Sequence, residues 1–304
     1  MANKNNTSIY SALAANLLIS ITKFVAGAFT NSSSMISEGI HSLVDTINQV
    51  LLLYGLKRSR KEADISRPLG YGRELYFWAF IVSVLIFGLG GGISIYQGIL
   101  HILHPEELGD PMWNYIVLGL SSLFEGTSLV IALKAFDKSR NGLSWWKAII
   151  KSKDPASFLV LFEDSAAVAG LAIVFVFMVF SHTFNKPYLD GVASVIVGLL
   201  LVFVSFILAR ESSSLLLGEG IGPLSQKRVK DLIETDETII TVQTILSTYQ
   251  SPEEVVLMLS VVFKDDLITQ DITTAVERIR EAVKLNFPLI KFVIIQPHAM
   301  DKIN

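Results

Sequence analysis

The sequence contains no cysteine and little charge for its length. Because none of its 304 residues is cysteine, disulfides and thiolate metal sites are excluded. Charged residues make up only 17% of the chain, whereas hydrophobic residues make up 51% and the mean hydropathy is positive. This balance is wrong for a soluble globular protein and typical of a membrane protein that crosses the bilayer several times and has a water-exposed part.

Further absences concern function. The formal net charge of −3 provides no basic footprint for nucleic acid. The sequence has no phosphate-binding glycine loop, no HExxH and no GxSxG, so ATP-driven pumping and the common hydrolytic chemistries lack their signatures. We therefore expect neither an enzyme nor a nucleic-acid-binding protein.

Six apolar segments are each long enough to cross the roughly 30 Å hydrocarbon core of a bilayer as a helix. They comprise residues 9–29, 35–56, 75–100, 113–136, 156–180 and 189–208. The first run is too long for a signal-peptide core, so we expect a spanning helix with no cleaved presequence.

Basic residues are concentrated in the connections after the second and fourth segments. These residues are Lys57, Arg58, Arg60, Lys61, Arg67 and Arg73, then Lys134, Lys138, Arg140, Lys147, Lys151 and Lys153. By the positive-inside rule, both loops and both termini are expected in the cytoplasm. The compactness of the chain favours a multi-pass protein of the bacterial inner (plasma) membrane.

From Pro223 onward the pattern is that of a small soluble domain. A helix with proline in its first turn precedes two β runs at 240–250 and 253–263, and a second helix at 271–285 precedes a β run at 291–296. We predict an α-helical membrane protein with six transmembrane helices in residues 1–209. A linker at 210–222 leads to a cytoplasmic α+β ferredoxin-like domain of order αββαβ at 223–304, whose size suits dimerisation.

The stretch SEGIHSLVDTINQ places polar residues inside the second apolar segment. Glu38, His41 and Asp45 follow at i, i+3 and i+7, and Asn48 continues the same helical face. An ionisable side chain at membrane depth costs roughly 2.5 to 3.5 kcal/mol, so this face requires a compensating partner. A divalent metal ion is one candidate.

Polar residues on other segments fall at a similar depth. Counted from the ends of their segments, Asp45, Glu125, Glu163, Asp164 and Asn16 all lie near the middle of the bilayer. Four helices thus offer polar groups to one slab of membrane, which a shared central site explains best.

The ligand chemistry of this slab is imidazole and carboxylate without sulfur. Such ligands suit Zn²⁺, and also Mn²⁺, Fe²⁺ or Co²⁺, and argue against Cu⁺. Because ligands must be deprotonated to bind, metal and protons compete for the same atoms. A site exposed alternately to the two sides of the membrane would therefore exchange metal for protons, with His41 titrating in the useful range.

Several motifs together resemble the cation diffusion facilitator family over essentially the whole chain. They are SMISEGIHSLVDTINQ, PLGYGRE, DPASFLVLFEDSAAVAGL and YLDGVASVIVGLLL, followed by the αββαβ tail. FEDSAAVAG and SSLFEGTSL are similar to the branch that contains the animal mitochondrial zinc transporter and bacterial relatives. The resemblance implies a homodimer that exports metal against inward proton flow, with a site built from pairs of ligands on the second and fifth spans.

The resemblance assigns His41 and Asp45 to the first pair of ligands and Asp164 to the second. The partner of Asp164 would stand at Val160, which cannot bind metal. Its replacement is left open among side chains of the same slab and water; the candidates, as ligands or proton carriers, are Glu163, Glu125, Asn48, Asn16 and Glu38. Adjacent residues point about 100° apart on a helix, so we expect only one of Glu163 and Asp164 to face the ion.

Two positions have simpler interpretations. Glu38 lies about as deep from the outer face as Lys23, so an intramembrane ion pair of the two is preferred to ligation by Glu38. His41 and Asp45 could also form a structural hydrogen-bonded pair, and Glu125 could bond a hydroxyl between helices.

These observations predict a secondary transporter that exports a divalent transition metal, zinc in first place, in exchange for protons. The metal is the transported substrate, and no cofactor is expected. The alternatives are a manganese or iron(II) exporter, or, from other classes, a membrane-embedded metalloenzyme or a metal-sensing scaffold.

Overall fold

The computed structural model describes residues 2–105, 112–140, 142–145, 148 and 152–299. Lys147 and Lys151 of the second basic loop, and residues 300–304 of the predicted tail domain, lie outside the described residues. The chain divides into two compact units: Met1–Lys57 with Leu75–Ser213, and Arg58–Glu74 with Ser214–Asn304.

The first unit is built from long helices. They are α1 (Ala2–Thr30), α2 (Ser33–Ser59), α3 (Glu74–Leu85), a π-helical segment (Ile86–Gly92), α4 (Ile93–Leu103), α5 (Met112–Ser139), α6 (Pro155–Phe184) and α7 (Tyr188–Leu217). Buried apolar side chains from these helices, such as Met35, Val44, Leu118, Phe158 and Leu201, form one core.

Four helices among the described residues are long and apolar enough to cross a membrane. They are Glu74–Leu103, Met112–Lys138, Ser157–Phe184 and Tyr188–Leu217, and Asn16–Thr30 forms a shorter apolar helix. Four of the six predicted spans are therefore matched by helices of sufficient length and apolar composition. The helix α2 falls short because the polar residues on its face lower its mean hydropathy.

Glycines bring the π-helical segment and α4 into backbone contact with α7. A Cβ added at Gly98 would lie 2.7 Å from the carbonyl oxygen of Gly191, and one added at Gly198 would lie 2.9 Å from that of Gly91. The GLGGG run at 88–92 is part of the π-helical segment. Within this run the helices pack closely at Gly91, where an added Cβ would lie 2.6 Å from Val202.

The second unit contains the predicted αββαβ order. Its elements are α8 (Pro223–Ile233), β1 (Ile239–Ser251), β2 (Glu254–Phe263), α9 (Thr269–Asn286) and β3 (Ile290–His298). The strands form a sheet of order β1-β2-β3, in which β2 pairs antiparallel with β1 and parallel with β3. Apolar residues of both helices, including Val229 and Ile279, pack with the sheet into a separate core.

The predicted linker at 210–222 is largely helical, because α7 continues to Leu217 before Gly218 ends it at φ +108°. A side chain would be strained at this positive φ, whereas glycine adopts it without strain. The segment Arg58–Glu74 belongs to the second unit, where Arg73 Nη2 donates to Thr248 Oγ1 at 2.8 Å. The predicted domains are contiguous in sequence and place this segment in residues 1–209.

Candidate functional site

A small cavity of about 60 Å³ lies among α1, α2, α5 and α6. Its lining residues are Asn16, Ile19, Ser42, Asp45, Gln49, Phe124, Glu125, Ser128, Val160, Glu163, Asp164 and Ala167. Four of these side chains are carboxylates, and they come from three helices. The space suits a small ion or a few waters held by polar partners.

On α2, Asp45 faces the cavity and His41 lies one turn before it. His41 Nδ1 is 3.6 Å from Asp45 Oδ1, which is too long for a hydrogen bond. The His41 side chain is buried, and none of the described residues hydrogen-bonds its Nε2 atom. His41 is not among the residues that line the cavity, and at this distance His41 and Asp45 do not form the structural hydrogen-bonded pair.

On α6, two adjacent carboxylates both reach the cavity. Asp164 Oδ2 accepts a hydrogen bond from Ser128 Oγ at 2.8 Å, and Glu163 Oε1 accepts one from Asn48 Nδ2 at 2.6 Å. Asn48 is fully buried beside the cavity lining. Both carboxylates therefore line the cavity, and each has a donor from a different neighbouring helix; that only one of them faces the ion stays a prediction.

Lys23 on α1 forms hydrogen bonds with two residues of α2 and one residue of α5. Its Nζ donates to Glu38 Oε2 at 3.1 Å, to Ser42 Oγ at 2.8 Å and to Glu125 Oε1 at 2.8 Å. Lys23 and Glu38 are completely buried. Glu38 thus contacts the lysine with which it is predicted to pair, and Glu125, rather than bonding a helix hydroxyl, shares that lysine.

The remaining predicted positions are Asn16 and Val160. Asn16 lines the cavity, as does Val160, the apolar residue at the position where a ligand was expected. Sequence reasoning missed Ser128 and Gln49, which lie three residues after Glu125 and four after Asp45 on the same faces. Within the described parts of the chain, no three His, Asp or Glu side chains lie close enough together to hold a metal ion.

The start of α2 is fixed by a carboxylate from α7. Asp190 Oδ2 accepts from the backbone N–H of Ser34 at 3.0 Å, and Oδ1 accepts from Ser32 Oγ at 2.9 Å and from Ser34 Oγ. An acidic group at a helix N-terminus satisfies free N–H groups and complements the helix dipole. Asp190 therefore positions the helix that carries His41 and Asp45.

The comparisons with known proteins bear on these helices. A family model described as the cation efflux transmembrane domain matches residues 9–217, more than half of the chain. The chain belongs to the cation efflux family. Members of this family are membrane transporters, so the chain is grouped with multi-pass transport proteins rather than with enzymes.

Curated relatives agree with this assignment. The chain is 34% identical over 278 residues to a mitochondrial proton-coupled zinc antiporter, SLC30A9, of Xenopus laevis, covering 89% of this chain and 50% of the relative. It is 30% identical over 266 residues to metal tolerance protein C4 of Arabidopsis thaliana, covering 87% and 58%. The chain thus spans about half the length of these relatives.

More distant matches include a relative named for manganese efflux and a solved structure. The manganese efflux system protein MneS of Bacillus subtilis is 23% identical over 210 residues, covering 69% of this chain and 67% of that protein. A solved C-terminal domain of MamM in a cadmium form covers 26% of this chain and 98% of its own, with 13% identity and a TM-score of 0.25. That structural likeness is too weak to argue from.

Proposed function

We propose that this protein is a secondary transporter that exports a divalent transition metal, with zinc as the favoured cargo, in exchange for protons by alternating access. The observation that carries the proposal is the cavity among α1, α2, α5 and α6, which four carboxylates line inside a helical unit with an apolar core. Carboxylates at that depth require a cation or protons to compensate them. A site that accepts either one is suited to exchange them.

The proposed ligands are Asp45 and Asp164 across the cavity, with His41 one turn from Asp45. His41 supplies a buried Nε2 atom that no described residue engages, which is the atom an incoming metal ion would use. Glu125 and Glu163 are proposed to supply the oxygen that Val160 cannot. We further propose that ion binding draws these side chains together, since the described side chains do not surround a common point.

The proposed cargo follows from ligand chemistry and from relatives. One imidazole with carboxylates suits zinc, and the relatives named as zinc antiporters support that choice. A ligand set dominated by oxygen atoms also suits Mn²⁺ or Fe²⁺, and the relative named for manganese efflux supports that alternative.

The proposed arrangement in the membrane has six spans, with α1 and α2 added to the four apolar helices. Both termini and both basic loops are proposed to be cytoplasmic, and the αββαβ domain at 223–304 is proposed to join two copies into a homodimer. A bacterial inner membrane is proposed as the location. A mitochondrial membrane is the alternative that the relatives named mitochondrial suggest, and imaging of a tagged chain in its own cells would distinguish them.

Transport is tested by reconstituting the purified chain in liposomes that contain a pH-sensitive dye. A gradient of Zn²⁺, Mn²⁺, Fe²⁺ or Co²⁺ is then applied, and the internal pH is followed. We expect metal-dependent proton movement that is lost in His41→Ala and Asp45→Ala and is kept in the matched variants His104→Ala and Asp137→Asn, which alter exposed residues.

The outcomes separate the classes of function. Proton movement that survives both His41→Ala and Asp45→Ala would overturn the assignment of the site. Metal binding without proton movement for any of these ions would overturn the exchanger and favour a metal-sensing scaffold or a metalloenzyme.

A further inference from the structure

The cluster around Lys23 is a feature that metal ligation alone does not require. Lys23 brings a positive charge to the edge of a cavity that is proposed to bind cations, so it disfavours the cargo electrostatically. Its ammonium group lies 2.8 Å from Oε1 of Glu125, and Glu125 itself lines the cavity. The same carboxylate therefore faces a fixed cation on one side and the ion site on the other.

The two carboxylates that contact Lys23 are not equivalent. Glu38 is completely buried and lies outside the cavity lining, whereas the Glu125 side chain is 13% exposed and forms part of that lining. Glu125 Oε2 is buried without a hydrogen-bond partner among the described residues. Glu38 Oε1 also has no hydrogen-bond partner among the described residues, but Glu38 does not line the cavity. Of the two carboxylates, therefore, only Glu125 has an unpartnered oxygen on a side chain that a cation in the cavity can reach.

The position of Glu38 is fixed by the helix behind it. A Cβ added at Gly170 on α6 would lie 2.6 Å from Glu38 Oε1, so the carboxylate rests directly on the backbone at a glycine. Ser42, one turn after Glu38 on α2, accepts a further hydrogen bond from the ammonium group. Two groups of α2 thus keep Lys23 beside Glu125.

We propose that Lys23 is a tethered counter-cation of the metal site: Glu38 and Ser42 hold its ammonium group against Glu125, and an entering metal ion competes with it for the Glu125 carboxylate. This inference rests on the proposed function and deepens it. In the empty site Lys23 compensates one of the cavity's carboxylates. In the loaded site the competition weakens metal binding and so promotes release.

The test removes the counter-cation together with its tether. Lys23→Met with Glu38→Gln deletes one positive and one negative charge, which leaves the net charge unchanged and Glu125 without its competing partner. We expect zinc affinity, measured by calorimetry on the purified full chain, to rise by roughly tenfold, because a charge at hydrogen-bonding distance from a ligand is removed. In liposomes, KM and kcat should both fall, since the ion binds tighter and leaves more slowly.

Further variants should lower the zinc affinity or leave it unchanged. Glu38→Gln alone leaves Lys23 to Glu125, so zinc affinity should fall; this single change keeps the test open if the double variant does not fold. In a Glu125→Gln background, the double change should no longer raise affinity. The matched control is Lys61→Met with Asp64→Asn, a pair 3.0 Å apart outside the membrane helices, which should leave affinity unchanged.

The result that would overturn the proposal is an active wild-type protein whose zinc affinity is unchanged or lowered by Lys23→Met with Glu38→Gln. That result would make the cluster a purely structural staple. If instead the wild-type protein neither binds zinc or manganese nor moves protons, the proposed function fails first. The two failures are therefore distinguishable in the same experiment.

Discussion

Two clusters of charge in this molecule contain similar groups in different surroundings. The Lys23 cluster (Lys23, Glu38, Ser42 and Glu125) is buried among α1, α2 and α5. The Tyr71 cluster lies in the connection between α2 and α3 and at the two helix ends that flank it. It consists of Arg58, Lys61, Asp64, Arg67, Tyr71 and Glu74. Its contacts include Lys61 Nζ to Asp64 Oδ2 at 3.0 Å and Arg67 Nη1 to Glu74 Oε1 at 2.7 Å.

Exposure decides what each cluster can do. The side chains of Lys23 and Glu38 are 0% exposed, whereas those of Lys61 and Asp64 are 52% and 37% exposed. Solvent and salt screen the Lys61–Asp64 pair, so this pair orders a loop and contributes little to stability. The Lys23 cluster is unscreened, so each charge there depends on the others, and a charge entering the cavity is felt strongly.

The largest effect is expected from Lys23→Met alone. This change leaves Glu38 and Glu125 buried without their counter-charge, which costs roughly 3 to 5 kcal/mol in comparable sites. We expect a large drop in the unfolding midpoint in detergent, and a substantial recovery when Glu38→Gln is added. A single variant as stable as the wild type would contradict the account of a strongly coupled buried cluster.

A smaller loss of stability is expected from Gly170→Ala. The added methyl group would press on Glu38 and push it away from Lys23, and overpacking of this kind costs roughly 1 to 3 kcal/mol. The matched control is Gly126→Ala on α5, where an added Cβ meets no atom of the described chain within 4 Å. Thermal unfolding of both variants measures the difference. Equal midpoints would show that Glu38 is free to move.

Val160→Asp tests the cavity next to the Lys23 cluster. It adds a carboxylate where the resemblance implies a ligand, beside Asp164 one turn away. We expect zinc or manganese affinity to rise by roughly tenfold, the size of change that altering one group at a metal site commonly produces. Val160→Asn, which adds a polar group without the charge, should give a smaller gain. No gain from Val160→Asp would place the ion elsewhere.

The smallest effect is expected from Asp64→Asn in the Tyr71 cluster. Hydrogen bonds from Ser66, Tyr71 and Lys61 hold the pKa of the Asp64 carboxyl well below its ordinary value. Its stabilising contribution is therefore complete above the ordinary carboxyl pKa of about 4 and is lost only as pH falls below that, towards the lowered pKa.

Hydrogen exchange measures this local effect. Asp64 Oδ1 accepts from the backbone N–H groups of Ser66 and Arg67, so these amides should exchange faster in Asp64→Asn while the unfolding midpoint of the whole chain stays unchanged. Between pH 8 and pH 5, protection of these amides in the wild type should be constant after correction for intrinsic rates. Loss of protection within that range would show that another group titrates there.

The sequence predicted those features that depend on local periodicity and depth. The αββαβ order follows from hydrophobic spacing within each element, and counting along helices placed Asp45, Glu125 and Asp164 at one level. Side-chain partners chosen by tertiary packing were less accessible. Lys23 and Glu125 are 102 positions apart, and nothing in either segment indicates that they meet.

Backbone contacts were also beyond prediction. Gly170 reads as an ordinary small residue of a membrane helix, and its role follows only from the approach of Glu38. The grouping of Arg58–Glu74 with the second unit depends on contacts such as that of Arg73 with Thr248, which lie far apart in the chain. Adjacent Glu163 and Asp164 both reach the cavity because Asn48 and Ser128, on two other helices, hold them there.

The most direct test of the central claim is a calorimetric titration of the purified full chain with zinc and with manganese. The account predicts that the wild type binds a single ion per chain at the cavity, that Asp45→Asn and Asp164→Asn each abolish or greatly weaken this binding, and that Asp137→Asn leaves it intact. Binding of wild-type strength in both Asp45→Asn and Asp164→Asn would contradict a metal site between α2 and α6.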